Sequence, residues 1–251
     1  MSRMRRVPAK HGWLWIVHGW RLFARKPLSS ILFTLIVCGA TQAGGVHPLL
    51  TLVAVILLPG LLAGWALACA AAERGESVPV SLLFEGLRRR FGELAALGGF
   101  NLAANVLVLV IVTGSGGEPV RELLSNPGAM NDTRLAEAQG RLLQALFLGL
   151  LVAVPVSMAV WFSPLGVLLG GVRPARALLD SLLGMARNWP AFTVYGLVWT
   201  LVGVAVFRAA LLALPPMGAL GVAIWVAMPV LVPSVYASYR DIFDPPPAVQ
   251  S

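Results

Sequence analysis

Residues 11 to 27 read HGWLWIVHGWRLFARKP, with His-Gly-Trp written twice, seven residues apart. Two turns of helix separate His11 from His18, about 10.5 Å along the axis. That is too far for the shared metal of an i,i+4 pair, and neither acid nor thiol stands nearby in the sequence. In helical register Trp13, Ile16, Val17, Trp20 and Ala24 share one face, while His18, Arg21 and Arg25 share another. An apolar face bearing Trp opposite a basic face describes a helix lying in a membrane interface.

The rest of the chain supplies the membrane. Of 251 residues, 58% are hydrophobic and 12% charged, with a mean hydropathy of +0.81. A water-facing surface needs about a quarter of the residues charged, so a soluble domain is excluded. The net charge of +8 does not point to nucleic acid, because the basic residues flank apolar runs rather than forming a solvated face. Anionic lipid of the inner leaflet is the partner that such flanking charges fit. WLWIV is too short for a signal-peptide core and runs into Arg21, Arg25 and Lys26, so no cleavable signal is expected.

Six stretches have the length and apolarity of a membrane span, roughly 28–46, 48–72, 92–114, 142–171, 190–214 and 217–239. Backbone groups in hydrocarbon must be satisfied within the segment, which makes these helices. Short turns at 44–48 and at Pro215-Pro216 join the first two and the last two as hairpins. Cys38 then falls near one membrane face and Cys69 near the other, too far apart for a disulfide. Fifteen of the 19 Lys and Arg residues fall on the side of the N-terminus and four on the other. The positive-inside rule places both termini in the cytoplasm.

The chain also matches itself. Pro59, Pro155 and Pro229 each lie inside the second helix of a hairpin, about fourteen residues before its cytoplasmic end. Trp65 and Trp161 follow their prolines by six residues, and Tyr236 follows Pro229 by seven. ARKP, RRFG and RNWP each end a basic, amphipathic ramp and lead directly into hydrocarbon, and Glu85 and Asp180 stand six residues beyond Pro79 and Pro174. The expected architecture is one all-α membrane domain over residues 1–251, with six transmembrane helices as three hairpins. Each hairpin follows a cytoplasmic amphipathic interfacial helix, in repeats of about 8–75, 77–172 and 173–244.

Candidate sites follow from polarity at depth. Asn101 and Asn105 share a face of the third span, where polar groups face a path or a neighbouring helix. Pro59, Pro155 and Pro229, with Pro164 and Pro233, are candidate kinks at the positions where repeat transporters place a substrate site. Arg21, Arg25, Lys26, Arg88, Arg89, Arg90, Arg187 and Arg240 are candidate lipid head-group contacts. Glu85 and Asp180, near Arg88–Arg90 and Arg187, either help clamp a phosphorylated head group or form ion pairs within their own helices. The outer loop 115–141 is expected to hold one or two short helices, the first opening at Pro119 and another capped at Asp132 or Thr133. No motif for hydrolysis, phosphate-loop binding, redox chemistry or metal binding is present, so no catalytic residue, cofactor or metal is expected.

AAERGE (71–76), RNWPAF (187–192) and YASYRDIF (236–243) resemble a family of proteobacterial inner-membrane proteins of this length and unknown function. The resemblance covers almost the whole chain and implies an inner-membrane location, with no catalytic residues to carry over. The layout of ramp plus hairpin is also similar, more distantly, to the membrane domain attached to some glycerophosphodiester phosphodiesterases. In YASYRDIF, Tyr236 and Tyr239 suit the interface belt, Arg240 meets head groups, and Asp241 is placed to pair with a basic interfacial helix. The functional expectation is a non-enzymatic membrane protein that organises or assists protein partners or lipids. The alternative is a small-molecule or lipid-like transporter using the Asn101/Asn105 face, and a remoter one is a lipid-modifying enzyme using Glu85 or Asp180.

Overall fold

A computed structural model describes residues 4–43, 47–125 and 131–243. Helix α1 (His11–Arg25) is followed by α2 (Pro27–Ala43) and α3 (Pro48–Glu73). A 3-10 turn at Val80–Phe84 leads into α4 (Glu85–Ser125), and α5 (Asp132–Trp161) and the short α6 (Ser163–Leu168) come next. Then follow α7 (Pro174–Arg187), α8 (Trp189–Ala210) and α9 (Pro216–Phe243). No strand occurs among the described residues.

Five helical runs are long and apolar enough to cross a membrane: Leu49–Glu73, Val80–Leu123, Asp132–Leu168, Trp189–Ala210 and Pro216–Phe243. A sixth is counted if α1 and α2 are taken together, but these two helices meet at 104°. With 17 residues, α2 by itself stands at the lower limit of about 17 for a spanning helix. Large apolar side chains cover the outer surfaces; Leu143 and Leu201, for instance, are each 70% exposed.

The chain breaks its helices at three basic turns. Lys26 (φ −140°, ψ 60°), Arg90 (φ −141°, ψ 45°) and Asn188 (φ −112°, ψ 22°) all leave the helical region, each one residue before an apolar helix proceeds. The ramps before them differ. Residues 11–25 and 174–187 form separate helices, whereas the ramp after Pro79 is a 3-10 turn running straight into α4. Pro79 is extended (φ −69°, ψ 154°), and few residues separate it from the Arg90 break.

Several expected boundaries move. The run expected at 142–171 begins with α5 at Asp132 and is interrupted at Phe162, before Pro164. The cap of α5 is Asn131, not Asp132 or Thr133: its Oδ1 accepts the Arg134 amide at 2.9 Å. Helix α4 extends past 114 to Ser125, with Gly117 (φ 65°) breaking it just before Pro119. Arg134 reaches Glu122 at 3.2 Å and ties the end of α4 to the start of α5. Residues 126–130 of the outer loop and 44–46 of the first turn lie outside the described residues. His47, beside that turn, caps α3 by accepting the Leu49 amide at Nδ1 (3.2 Å).

Helices α3 and α4 meet backbone to backbone. A Cβ on Gly86 would lie 2.2 Å from the Gly60 carbonyl oxygen, and one on Gly98 would lie 2.4 Å from that of Ile56. Small residues at such crossings let helices approach where lipid offers no hydrophobic drive. Aromatic burial gathers at the end of the bundle where the basic turns lie. Trp15 packs on Phe192 (5.0 Å between centroids), Phe162 on Phe243 (5.5 Å), and Tyr239 on Phe243 (5.1 Å). The Arg5 amide donates to the Ile242 carbonyl at 2.8 Å, so both ends of the described chain share that face.

Candidate functional site

The tandem His-Gly-Trp gives α1 three separate faces. Gly12 and Gly19, with Trp15 and Leu22, form the buried one. A Cβ at Gly12 would sit 2.2 Å from the Ala191 carbonyl oxygen of α8, and one at Gly19 would sit 2.7 Å from the Ser234 amide nitrogen of α9. Glycine is therefore what allows α1 to dock on both helices. Trp13 and Trp20 remain 53% and 58% exposed. His11, His18, Arg21 and Arg25 line a cleft on the remaining side.

That cleft has a volume of about 490 Å³ and lies between α1, the end of α3 and the end of α9. Its wall is held by two carboxylates. Asp241 Oδ2 accepts from His11 Nδ1 at 2.6 Å and from Trp15 Nε1 at 2.8 Å. Glu73 accepts from the Tyr236 hydroxyl at 2.9 Å and from the Arg240 guanidinium. Arg25 reaches across to the Glu73 carbonyl at 3.3 Å. Arg5 enters from the N-terminal segment, whose course is set by Asn188: its Oδ1 accepts the Val7 amide (2.8 Å) and its Nδ2 donates to the Arg5 carbonyl (3.0 Å).

Asp241 thus pairs with His11 and Trp15 of α1. Tyr236 and Tyr239 differ from expectation: they are buried, at 2% and 5% exposure, rather than forming an interface belt. Of the candidate head-group arginines, Arg21, Arg25 and Arg240 line the cleft. The others lie elsewhere. Arg88 and Arg89 pair with Glu85 at 2.9 and 2.6 Å, and Arg90 pairs with Glu93 at 2.7 Å. Asp180 pairs with Arg176 at 2.9 Å rather than with Arg187. Lys26 borders a narrow crevice beside Phe33 and Trp65, and Arg187 is exposed at the end of α7.

A second concavity, about 320 Å³ and largely apolar, lies among α3, α4, α5, α6 and α9. Pro59, Asn101, Ser157 and Pro164 contribute to it. Asn105 does not; it is exposed, and its Nδ2 donates to the Asn101 carbonyl (2.7 Å) and to Asn101 Oδ1 (3.1 Å). Pro155 and Pro229 lie inside α5 and α9 but outside the groove lining.

Sequence reasoning missed Trp15, Asn188, Arg5 and Glu73. Gly12, Trp15, Gly19 and Leu22 recur at helical spacing and could have marked a docking face, but the Trp-rich side drew the reading toward lipid alone. Asn188 has no partner nearby in sequence except Gly184, so nothing local announces its role. The segments AAERGE, RNWPAF and YASYRDIF, far apart in the chain, supply Glu73, Asn188 and Tyr236–Asp241 to this one end of the bundle.

A probable inner membrane protein of Burkholderia thailandensis is 31% identical over 257 residues, spanning 94% of this chain and 92% of its own length. No protein-family profile and no solved structure matches the chain. The identity extends across nearly all of both chains, so the two share one helical membrane architecture, and the chain belongs to the family of that probable inner membrane protein.

Proposed function

We propose that this is a non-enzymatic integral inner-membrane protein that organises lipid at the cytoplasmic leaflet. It crosses the bilayer six times as hairpins α2–α3, α4–α5 and α8–α9, each fed by a basic ramp, with both ends in the cytoplasm. The similar backbone breaks at Lys26, Arg90 and Asn188 support three repeats.

The observation that carries the proposal is the attitude of α1. It stands 104° from α2, so if α2 crosses the bilayer, α1 runs along its surface. Trp13 and Trp20 then enter the acyl boundary while Arg21 and Arg25 meet head groups. Depth-dependent quenching by brominated lipids tests this. Trp13 and Trp20, read from a variant whose other tryptophans are phenylalanine, should quench most with bromines near the head group. Quenching equal to that of free tryptophan in water would end the proposal. Mass spectrometry of lipid retained by the purified chain should also show anionic species enriched over the bulk membrane.

A second reading, transport of a small or lipid-like molecule, is favoured by one observation: Pro59 and Asn101 border the same intramembrane groove. Asn101→Leu should then lower flux through proteoliposomes about tenfold or more, on the scale of one lost hydrogen bond to a ligand in a dry site. Unchanged flux removes the groove as the path.

A further inference from the structure

We propose that the cleft between α1, α3 and α9 binds a phosphate-bearing anion, supplied at this depth by the head group of an anionic phospholipid. Four guanidinium groups line it, from Arg5, Arg21, Arg25 and Arg240, against two carboxylates, Glu73 and Asp241. Leaving the two histidines out of the count, the guanidinium groups exceed the carboxylates by two. Both carboxylates are already engaged: Asp241 by His11 and Trp15, and Glu73 by Tyr236 and Arg240. They hold the wall together rather than neutralising the arginines opposite. Among the described residues neither Arg5 nor Arg21 has a carboxylate within ion-pair distance, whereas Arg88, Arg89, Arg90 and Arg176 all pair on their own helices.

Guanidinium groups converging from three separate segments suit a tetrahedral oxyanion, which accepts forked hydrogen bonds from several directions. The depth selects the source. Glu73 is the last residue of α3, and Arg240 and Asp241 lie in the last turn of α9, where apolar helix gives way to polar surface. Basic pockets at the cytoplasmic ends of membrane helices are where phospholipid head groups lodge. The lipid source rests on the interfacial placement of α1 proposed above; the phosphate chemistry does not.

The test uses the full chain in phosphatidylcholine nanodiscs doped with phosphatidylglycerol, with bound lipid counted by native mass spectrometry. Phosphatidylglycerol should be retained over phosphatidylcholine about tenfold or more, and Arg5→Gln/Arg21→Gln should abolish that preference, each basic residue contributing about tenfold or less at a membrane surface. Arg88→Gln/Arg89→Gln should leave it intact. Thermal unfolding of each variant checks that the fold is unchanged, and Arg21→Lys, which keeps the charge but not the fork, should recover part of the preference. A parallel arm offers inorganic phosphate and glycerol 3-phosphate to the detergent-solubilised chain. Binding of these, lost in the Arg5/Arg21 variant, with no lipid preference would retain the phosphate site and overturn the lipid source. No preference in either arm, or equal loss in the Arg88/Arg89 control, overturns the site. Successful quenching of Trp13 and Trp20 beside a failed cleft test would leave the membrane reading standing without it.

Discussion

Asn188 is fully buried and joins three backbone groups that no helix would otherwise pair: the Val7 amide and the carbonyls of Arg5 and Gly184. Each buried group left without a partner costs about 1–3 kcal/mol. Asn188→Ala should therefore lower the melting temperature in detergent and expose residues 5–10 to protease; an unchanged digestion pattern would deny Asn188 this clamping role. Glu76 shows the opposite situation, at the surface. The Arg74 guanidinium donates to both of its oxygens, at 2.5 and 2.9 Å, and holds its carboxyl below the usual glutamate range. A depressed folded-state value means the pair's contribution is present above about pH 4.3, the ordinary value, and is lost as pH falls through the lower one. Carboxyl carbon shifts should titrate below the ordinary glutamate midpoint, and Arg74→Gln should raise that midpoint again. Because the pair is exposed, little stability rides on it.

Helix α1 serves as wall and brace at once, and its glycines decide whether it can. A methyl at Gly19 would press on the backbone of Ser234, which cannot swing aside as a side chain could. The resulting strain, about 1–3 kcal/mol, exceeds the helix-propensity gain of about 1 kcal/mol from replacing glycine by alanine. Gly19→Ala should speed hydrogen exchange across 11–25 while α3 and α4 keep their protection. Gly203→Ala, in α8 with nothing within 4 Å of its Cβ, is the matched control and should leave exchange unchanged or slower. Equal behaviour of the two variants would mean that α1 does not depend on this contact.

Across the molecule, buried aromatic packing and polar locks concentrate at the end where residues 5 and 242 are hydrogen-bonded. The far halves of the long helices present leucine, valine and phenylalanine outward. Reporter fusions near the first residues and after Phe243 should both be active in the cytoplasm, and one inserted at 126–130 should report the opposite compartment. A signal from the opposite compartment at either end, or an odd number of crossings, would contradict the six-span reading.

Apolar run length and the absence of backbone partners in hydrocarbon were enough, from the sequence, to indicate a helical membrane protein; six spans were expected, and five helices are of spanning length, or six if α1 and α2 count as one bent pair. These are one-dimensional properties, carried by consecutive residues such as 48–72 or 217–239. Helix breaks at ARKP, RRFG and RNWP were legible for the same reason, since proline, glycine and clustered charge act on the local backbone. The site was not legible in this way. Its arginines were named, but Arg88–Arg90 turned out to be neutralised at i,i+3 and i,i+4, while Arg5 and Arg21 met Arg240 from opposite ends of the chain. Which charges stay unpaired depends on what lies across a gap of more than 200 residues, and only the docking of α1 on α8 and α9 closes that gap.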